Sequence, residues 1–229
     1  MNSTTPTFTQ RIRSFVPRQG RITPGQEFSL ENYWPEYGLD TQQQYDFAEV
    51  FGRDAPMIVE IGFGNGESLA EMAATNPDKN YIGIEVHRPG VGHLLMKIKQ
   101  ENITNLRIYN HDAIEILENY IPDNSLSGVH LFFPDPWPKK KHHKRRIVRP
   151  SFNDLLIKKL KPGGYFHAAT DWENYAEHIL EILSTAKGMD NTSSTHDYCE
   201  RPDYRPLTKF EQRGIRLGHG VWDLIFTKV

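Results

Sequence analysis

The sequence predicts an α/β fold: a doubly wound, mostly parallel sheet with one antiparallel strand. Three observations predict it. From Met57 onward, short apolar segments rich in β-branched residues alternate with longer segments of helical character. The short segments show little inside–outside alternation, as strands do when helices cover both faces of their sheet. A glycine-rich turn, Gly62-Phe-Gly-Asn-Gly66, joins the first strand to the first helix of this series. Strand–helix alternation implies right-handed crossovers between parallel strands.

Taken in order, residues 1–40 have no periodicity and are expected to form an irregular basic arm carrying Arg11, Arg13, Arg18 and Arg21 among several aromatic residues. Residues 41–229 are expected to form one domain, long enough to bury a core. Strands are predicted at Met57–Ile61, Tyr81–Val86, Leu106–Tyr109, Val129–Phe133 and Tyr165–Thr170. Helices are predicted at Glu67–Thr75, Val91–Gln100, Ala113–Tyr120, Phe152–Leu160 and Glu173–Ala186. The turn Lys161-Pro-Gly-Gly164 ends one helix and launches the next strand. The tail Trp222–Val229 reads as a further strand, antiparallel and at or near an edge.

Composition narrows the class. Of 229 residues, 38% are hydrophobic and 24% charged, ordinary values for a soluble domain. No apolar run approaches the roughly 20 residues of a membrane helix. The first ten residues are polar and lack the apolar centre of a signal peptide. The single Cys199 excludes an internal disulfide and a cysteine-built zinc site. A cytoplasmic protein without membrane contact is expected.

The glycine loop departs from the dinucleotide pattern G-x-G-x-x-G, because Glu67 stands where a pyrophosphate tolerates no anion. The loop suits a nucleoside ligand without phosphate. Acids stand at three successive strand ends: Glu60, Glu85 and Asp112. In an open α/β sheet, ligands bind outside those ends. Glu85 can accept from ribose hydroxyls, Asp112 from an adenine amino group, and Glu60 can face an ammonium. Gly62 and Gly64 allow close approach. A ligand with ribose, adenine, ammonium and no phosphate is S-adenosylmethionine, whose sulfonium suits an acidic pocket. Asp112 is equally placed to cap the helix after it.

After the fourth strand comes Phe133-Pro-Asp-Pro-Trp-Pro138, where prolines hold Asp135 rigidly at the same sheet edge. Trp137 either stacks on a base or packs beneath the loop. From Lys139 to Arg149 there are seven Lys/Arg and no acid, so in a chain of formal charge −2 the remainder sums to −9. A dense basic stripe beside a loop carboxylate points to a polyanionic substrate, with nucleic acid foremost. His142 and His143 lack partners at metal-ligand spacing, and no metal is expected. Thr170-Asp-Trp172 adds Asp171 to the same edge, and Thr208-Lys-Phe-Glu211 reads as a capping box.

At Glu60-Ile-Gly-Phe-Gly64, Gly83-Ile-Glu85, Phe133-Pro-Asp-Pro-Trp-Pro-Lys139, His143-Lys-Arg-Arg146, Thr170-Asp171 and Thr208–Glu211, the chain resembles the bacterial tRNA (guanine-N7-)-methyltransferases. The resemblance runs from Arg13-Ser-Phe-Val16 to the C-terminus. It implies a Rossmann-like class I methyltransferase that modifies guanine 46 in the variable loop of tRNA. Glu60, Gly62, Gly64, Glu85, Asp112 and Asp135 would line the S-adenosylmethionine site, with Asp135 the catalytic candidate. Lys139, Asp171, Thr208, Lys209, Phe210 and Glu211 would hold the tRNA substrate. Lys141, His142, His143, Lys144, Arg145 and Arg146 would contact RNA. The residues leave rival readings open: a methyltransferase for a small amine or a protein, or a non-catalytic RNA binder. Monomer and homodimer are both compatible with the sequence.

Overall fold

The computed structural model describes residues 12–16, 20–208, 211–212 and 220–229. Five parallel strands form its centre: β1 (Met57–Ile61), β2 (Asn80–Ile84), β3 (Leu106–Tyr109), β4 (Leu126–Phe132) and β5 (Leu160–Thr170). Two further strands, β6 (Met189–Asn191) and β7 (Trp222–Lys228), complete the order β3-β2-β1-β4-β5-β7-β6. Strand β7 is antiparallel to both of its neighbours, as the tail predicted. Strand β6 has only three residues and carried no sequence signal.

The order of the strands fixes where a ligand can sit. The chain builds outward from β1 to β3, then crosses to the other side of β1 to lay down β4 and β5. The connections leaving β1 and β4 therefore diverge, and a crevice opens between their carboxyl ends. The glycine loop leaves β1 and the Phe133–Pro138 loop leaves β4, so both border that crevice.

Both faces of the sheet are covered. On one face Val59, Ile82, Val129 and Phe166 pack with residues of α6 (Ala113–Tyr120), α7 (Pro150–Lys159) and α8 (Glu173–Ser184). On the other, Ile58, Tyr81, Leu106 and Ile108 meet α4 (Glu67–Thr75) and α5 (Arg88–Glu101) through Leu69, Met72, Leu94 and Ile98. The period-two alternation Ile58/Val59 sends neighbours to opposite cores, which is why the strand reads as continuously apolar.

Residues 1–40 are not irregular throughout. Pro24–Asn32 forms α1 and Trp34–Tyr37 forms α2, followed further on by the short α3 (Phe47–Phe51). Helix α1 starts at a reciprocal capping box, in which Thr23 Oγ1 accepts from the Gln26 N–H at 3.3 Å and Gln26 Oε1 accepts from the Thr23 N–H at 2.9 Å. Pro24 at its first position costs no hydrogen bond. Its sequence has almost no apolar face, and Ser29 is its one buried residue. That is why periodicity missed it. Helix α1 lies on α5, where the backbone of Gln26 comes so near Gly92 that a Cβ there would be 2.8 Å from the Gln26 carbonyl oxygen.

A second close approach joins α5 to the glycine loop. A Cβ on Gly90 would lie 2.0 Å from the Gly64 carbonyl oxygen, a rigid backbone atom. Replacing Gly90 by Ala must push the helix and the loop apart. We expect Gly90→Ala to cost about 1–3 kcal/mol, read as a melting temperature lower by roughly 3–10 °C. An unchanged melting temperature would show that the contact is slack.

Candidate active site

The glycine loop owes its shape to backbone freedom and to one side chain. Gly62, Gly64 and Gly66 have φ values of 72°, 60° and 77°, which side chains with a Cβ adopt at a cost. The Glu85 carboxylate at the end of β2 holds them. Its Oε2 accepts from the Gly64 N–H at 2.9 Å, and its Oε1 from the Val86 and His87 N–H groups at 2.7 and 2.9 Å. Glu85 was expected to accept from ligand hydroxyls. Three of the roughly four acceptor positions of a carboxylate are used by the protein's own backbone, and Glu85 also lines the crevice. Asp112 likewise caps α6, its Oδ1 accepting from the Ile114 N–H at 2.9 Å. Glu67, at the first turn of α4, pairs with Lys97 at 3.2 Å and keeps a negative charge where a phosphate would have to sit.

Glu60 has the opposite character. It lies inside β1, in register with Gly83 of β2 and His130 of β4, and is only 3% exposed. No described residue hydrogen-bonds its Oε2. Burial, and then the charge of Glu85, push its carboxyl up to about 8. A buried acid whose oxygen has no protein donor is fitted to receive one from a ligand, and a cation most of all.

The crevice is a cavity of about 390 Å³, within the usual range for small-molecule sites. Gly62, Gly64, Glu85 and Asp135 line it, together with His87, His111 and the apolar Ile61, Ile84 and Leu131. Glu60 and Asp112 are not in the lining and are the chain neighbours of the lining residues Ile61, His111 and Ala113. Among the described residues no Lys or Arg is in the lining. Acidic, uncharged and apolar groups alone suit a cationic nucleoside and reject a phosphate, so the residues fit S-adenosylmethionine. Sequence reasoning gave no site role to Ser14, Phe15 and Val16, which form part of this wall. The one available signal was their place at the start of the resemblance.

The Asp135 loop is held under strain. Phe133 and Trp137, which bracket it, have φ values of 50° and 49°. Such conformations cost a bulky residue on the order of 1–3 kcal/mol and persist only where the surroundings enforce them. The enforcers are specific. The Phe133 N–H donates to the Ala169 carbonyl at 2.7 Å, and Trp137 Nε1 donates to the Ser14 carbonyl at 3.1 Å. Arg146 Nε donates to the Pro136 carbonyl at 3.0 Å, while its Nη2 donates to Asn174 Oδ1 at 2.8 Å. The guanidinium also lies 4.7 Å from the centroid of the Tyr175 ring.

Arg146 is thus misplaced among the RNA-contacting residues. It is 3% exposed, and its Nε, Nη1 and Nη2 donate to the Asp135 loop and α8. The remainder of the run, Lys140–Arg145, forms a 3₁₀ helix on which Lys140, Lys141 and Lys144 are exposed, as is Lys139 before it. Arg145 lies 5.1 Å over the Trp137 ring. Slight desolvation, then the charges of Lys141 and Arg145, lower the His142 imidazole below its ordinary value. His143 is half-buried beside it.

Asp171 is half-buried directly after β5. Thr208 makes half of the expected capping box, its Oγ1 accepting from the Glu211 N–H at 3.1 Å. The Glu211 carboxylate does not turn back to Thr208. It forms a two-bond fork with Arg205 at 2.7 and 2.8 Å, and Arg205 forms a second fork with Asp223 at 2.7 and 2.8 Å. Asp223 Oδ1 lies 2.7 Å from His167 Nε2, and His167 Nδ1 lies 2.9 Å from the Tyr204 hydroxyl. Arg205 is 1% exposed and Glu211 is buried, so this carboxylate shapes the segment from within. Lys209 and Phe210 lie outside the described residues. The Arg205 network escaped sequence reasoning because its members are scattered from His167 to Asp223 without periodicity. Among the described residues no group of three or more His, Cys, Asp or Glu could hold a metal ion, and no helix is long and apolar enough to cross a membrane.

An open sheet with this strand order and an acidic crevice at its switch point defines an S-adenosylmethionine-dependent methyltransferase. Solved structures agree on the fold. A 16S rRNA methyltransferase, KamB, superposes with a TM-score of 0.59 at 16% identity, covering 84% of this chain and 97% of its own. A 16S rRNA (adenine(1408)-N(1))-methyltransferase from Catenulisporales acidiphilia gives 0.57 at 16% identity, covering 82% and 93%. Residues 54–224 match the family described as "Putative methyltransferase". The chain is 61% identical over 223 residues to a tRNA (guanine-N(7)-)-methyltransferase of Shewanella amazonensis, covering 97% of this chain and 94% of that protein. The protein of the same name from Salmonella typhimurium is 59% identical over 221 residues, covering 96% and 92%. The chain belongs to the tRNA (guanine-N(7)-)-methyltransferase family.

Burial of Glu60 has a measurable consequence. Its folded carboxyl titrates near 8 against 4.5 for an ordinary glutamate. The folded protein therefore holds the extra proton between those values, and stability present below about pH 4.5 is lost as pH rises towards about 8. In the ligand-free protein, Glu60→Gln should flatten the fall in melting temperature between pH 5.5 and 8. Parallel curves for wild type and variant would mean that Glu60 is ionised at neutral pH.

Proposed function

We propose that this protein transfers the methyl group of S-adenosylmethionine to N7 of guanine 46 in the variable loop of tRNA, in the cytoplasm. The observation that carries this reading is the junction at Asp135. The acidic cavity ends at this residue, and the exposed lysines begin four residues later. A cation-binding pocket and a polyanion-binding ridge therefore meet at one carboxylate. The relatives' name supplies the target atom.

S-adenosylmethionine supplies an electrophilic methyl on a sulfonium. Guanine N7 carries a free lone pair and no proton, so the protein has no proton to remove. Its task is to orient and to stabilise. Glu60 and Glu85 receive the donors of the nucleoside, and the glycine loop admits it without a clash. Asp135 accepts from the N1–H or exocyclic amino group of guanine and turns N7 towards the pocket. The strained, clamped loop keeps that carboxylate in place before substrate arrives. Lys139, Lys140, Lys141 and Lys144 attract the phosphates, and Asp171 and Thr208 border the RNA.

Methyl-labelled S-adenosylmethionine with unmodified tRNA, followed by digestion to nucleosides, tests the assignment. Label in 7-methylguanosine, lost in a tRNA whose guanine 46 is replaced, is the expected result. Label in another nucleoside would refute the target atom, and label surviving the replacement would refute the position.

The two uses of the basic run separate by mutation. Replacing Lys140, Lys141 and Lys144 by Gln together should weaken tRNA binding and reduce its salt slope by about 2–3, with S-adenosylmethionine affinity kept. Arg146→Lys cannot reproduce the fork. It should lower kcat at least tenfold and leave the salt slope of binding unchanged. A salt slope that falls in Arg146→Lys would return this residue to the RNA.

A further inference from the structure

Two tryptophans stand at the catalytic edge, and the structure uses them differently. Trp137 is consumed internally. Its N–H binds the Ser14 carbonyl, the Arg145 guanidinium covers its ring, and His142 meets it edge-on with centroids 6.0 Å apart. Trp172 follows Asp171 and is 42% exposed. Among the described residues no ring or cation is stacked on it.

The backbone beneath Trp172 is nevertheless fixed. Its N–H donates to Thr170 Oγ1 at 3.2 Å, and its carbonyl accepts from the Tyr175 and Ala176 N–H groups at 2.8 and 3.0 Å. It thereby starts α8. Two residues on, Asn174 is tied by Arg146 to the Pro136 carbonyl. Strands β4 and β5 run parallel, with Phe132 opposite Ala169, so Trp172 and Asp135 leave the sheet on adjacent loops. An exposed indole on a rigid base, on the loop next to the one that carries Asp135 and leads into the exposed lysines, is a stacking surface that needs little ordering when it binds.

We infer that Trp172 is a stacking platform for an unpaired nucleobase of the RNA, next to the guanine that enters the site. This rests on the reading of the protein as a tRNA methyltransferase. A guanine turned into the crevice loses its neighbours in the strand, and the flanking base needs a new face to stack on. The cationic ridge favours a nucleic-acid strand at this edge over an apolar peptide. Stacking tolerates any base, so the residue supports binding and does not read sequence.

The test uses the full-length protein with Trp172→Ala, Trp172→Phe and Trp172→Leu. Titrations with unmodified tRNA are read separately from turnover, and S-adenosylmethionine affinity and melting temperature serve as controls. Trp172→Ala and Trp172→Leu should raise the tRNA Kd and KM about tenfold. Trp172→Phe should keep most of the affinity, and the two controls should not move. Addition of tRNA should also quench tryptophan fluorescence more in the wild type than in Trp172→Phe. Unchanged tRNA affinity in the alanine variant would overturn the inference. So would a leucine variant as good as wild type, which would mean apolar contact in place of stacking, or a loss of S-adenosylmethionine affinity, which would mean a role in the cofactor pocket. If the wild type binds tRNA without producing 7-methylguanosine, the parent reading fails, and the tRNA titrations still decide the role of Trp172.

Discussion

One buried guanidinium holds the active site in shape. Arg146 ends a run of lysines and arginines, yet it turns inward and ties the Pro136 carbonyl to the first turn of α8. Removing an arginine from water is costly unless its donors are satisfied. Here its bonds to Pro136 and Asn174, and the face of Tyr175, meet that need. The return is a loop that keeps two aromatic residues in left-handed conformations and so aims Asp135. A lysine has neither the reach in two directions nor the planar face.

Around that clamp the protein keeps opposite charges apart. Among the described residues the cavity is lined by carboxylates, two histidines, glycine backbone and apolar side chains, whereas the exposed lysines follow Asp135 in the chain. Under the proposed function, a cationic nucleoside and a polyanionic chain are drawn to different surfaces that share one border. Glu85 and Glu60 show how two acids of the same pocket divide the work. One is bound by backbone N–H groups and builds the loop; the other is buried, and no described residue donates to its Oε2.

Much of this was legible in the sequence. Strands covered on both faces are continuously apolar, so β1 and β3 were located to the residue, and β4 and the tail strand to within a few. The glycine loop and Asp135 stood out because their chemistry depends on neighbours in the chain. Helix α1 did not, since its stability comes from a cap and from α5, and its apolar periodicity is nearly nil. Arg146 was assigned outward by its charge and by the resemblance, and Glu211 by the resemblance alone, since its own sequence reads as a capping box. Whether a charged side chain faces solvent or a buried partner is settled by residues far away, such as Asn174 for Arg146 and Arg205 for Glu211. The backbone bonds of Glu85 were invisible for the same reason: N–H groups have no letter in the sequence.

The bond from Trp137 to Ser14 spans 123 residues, far more than the strand pairings of the core. A segment made early in synthesis waits for a partner made much later, and closing so long a loop early is entropically unfavourable. The wall formed by Ser14, Phe15 and Val16 is thus held to the Asp135 loop across more than half the length of the chain.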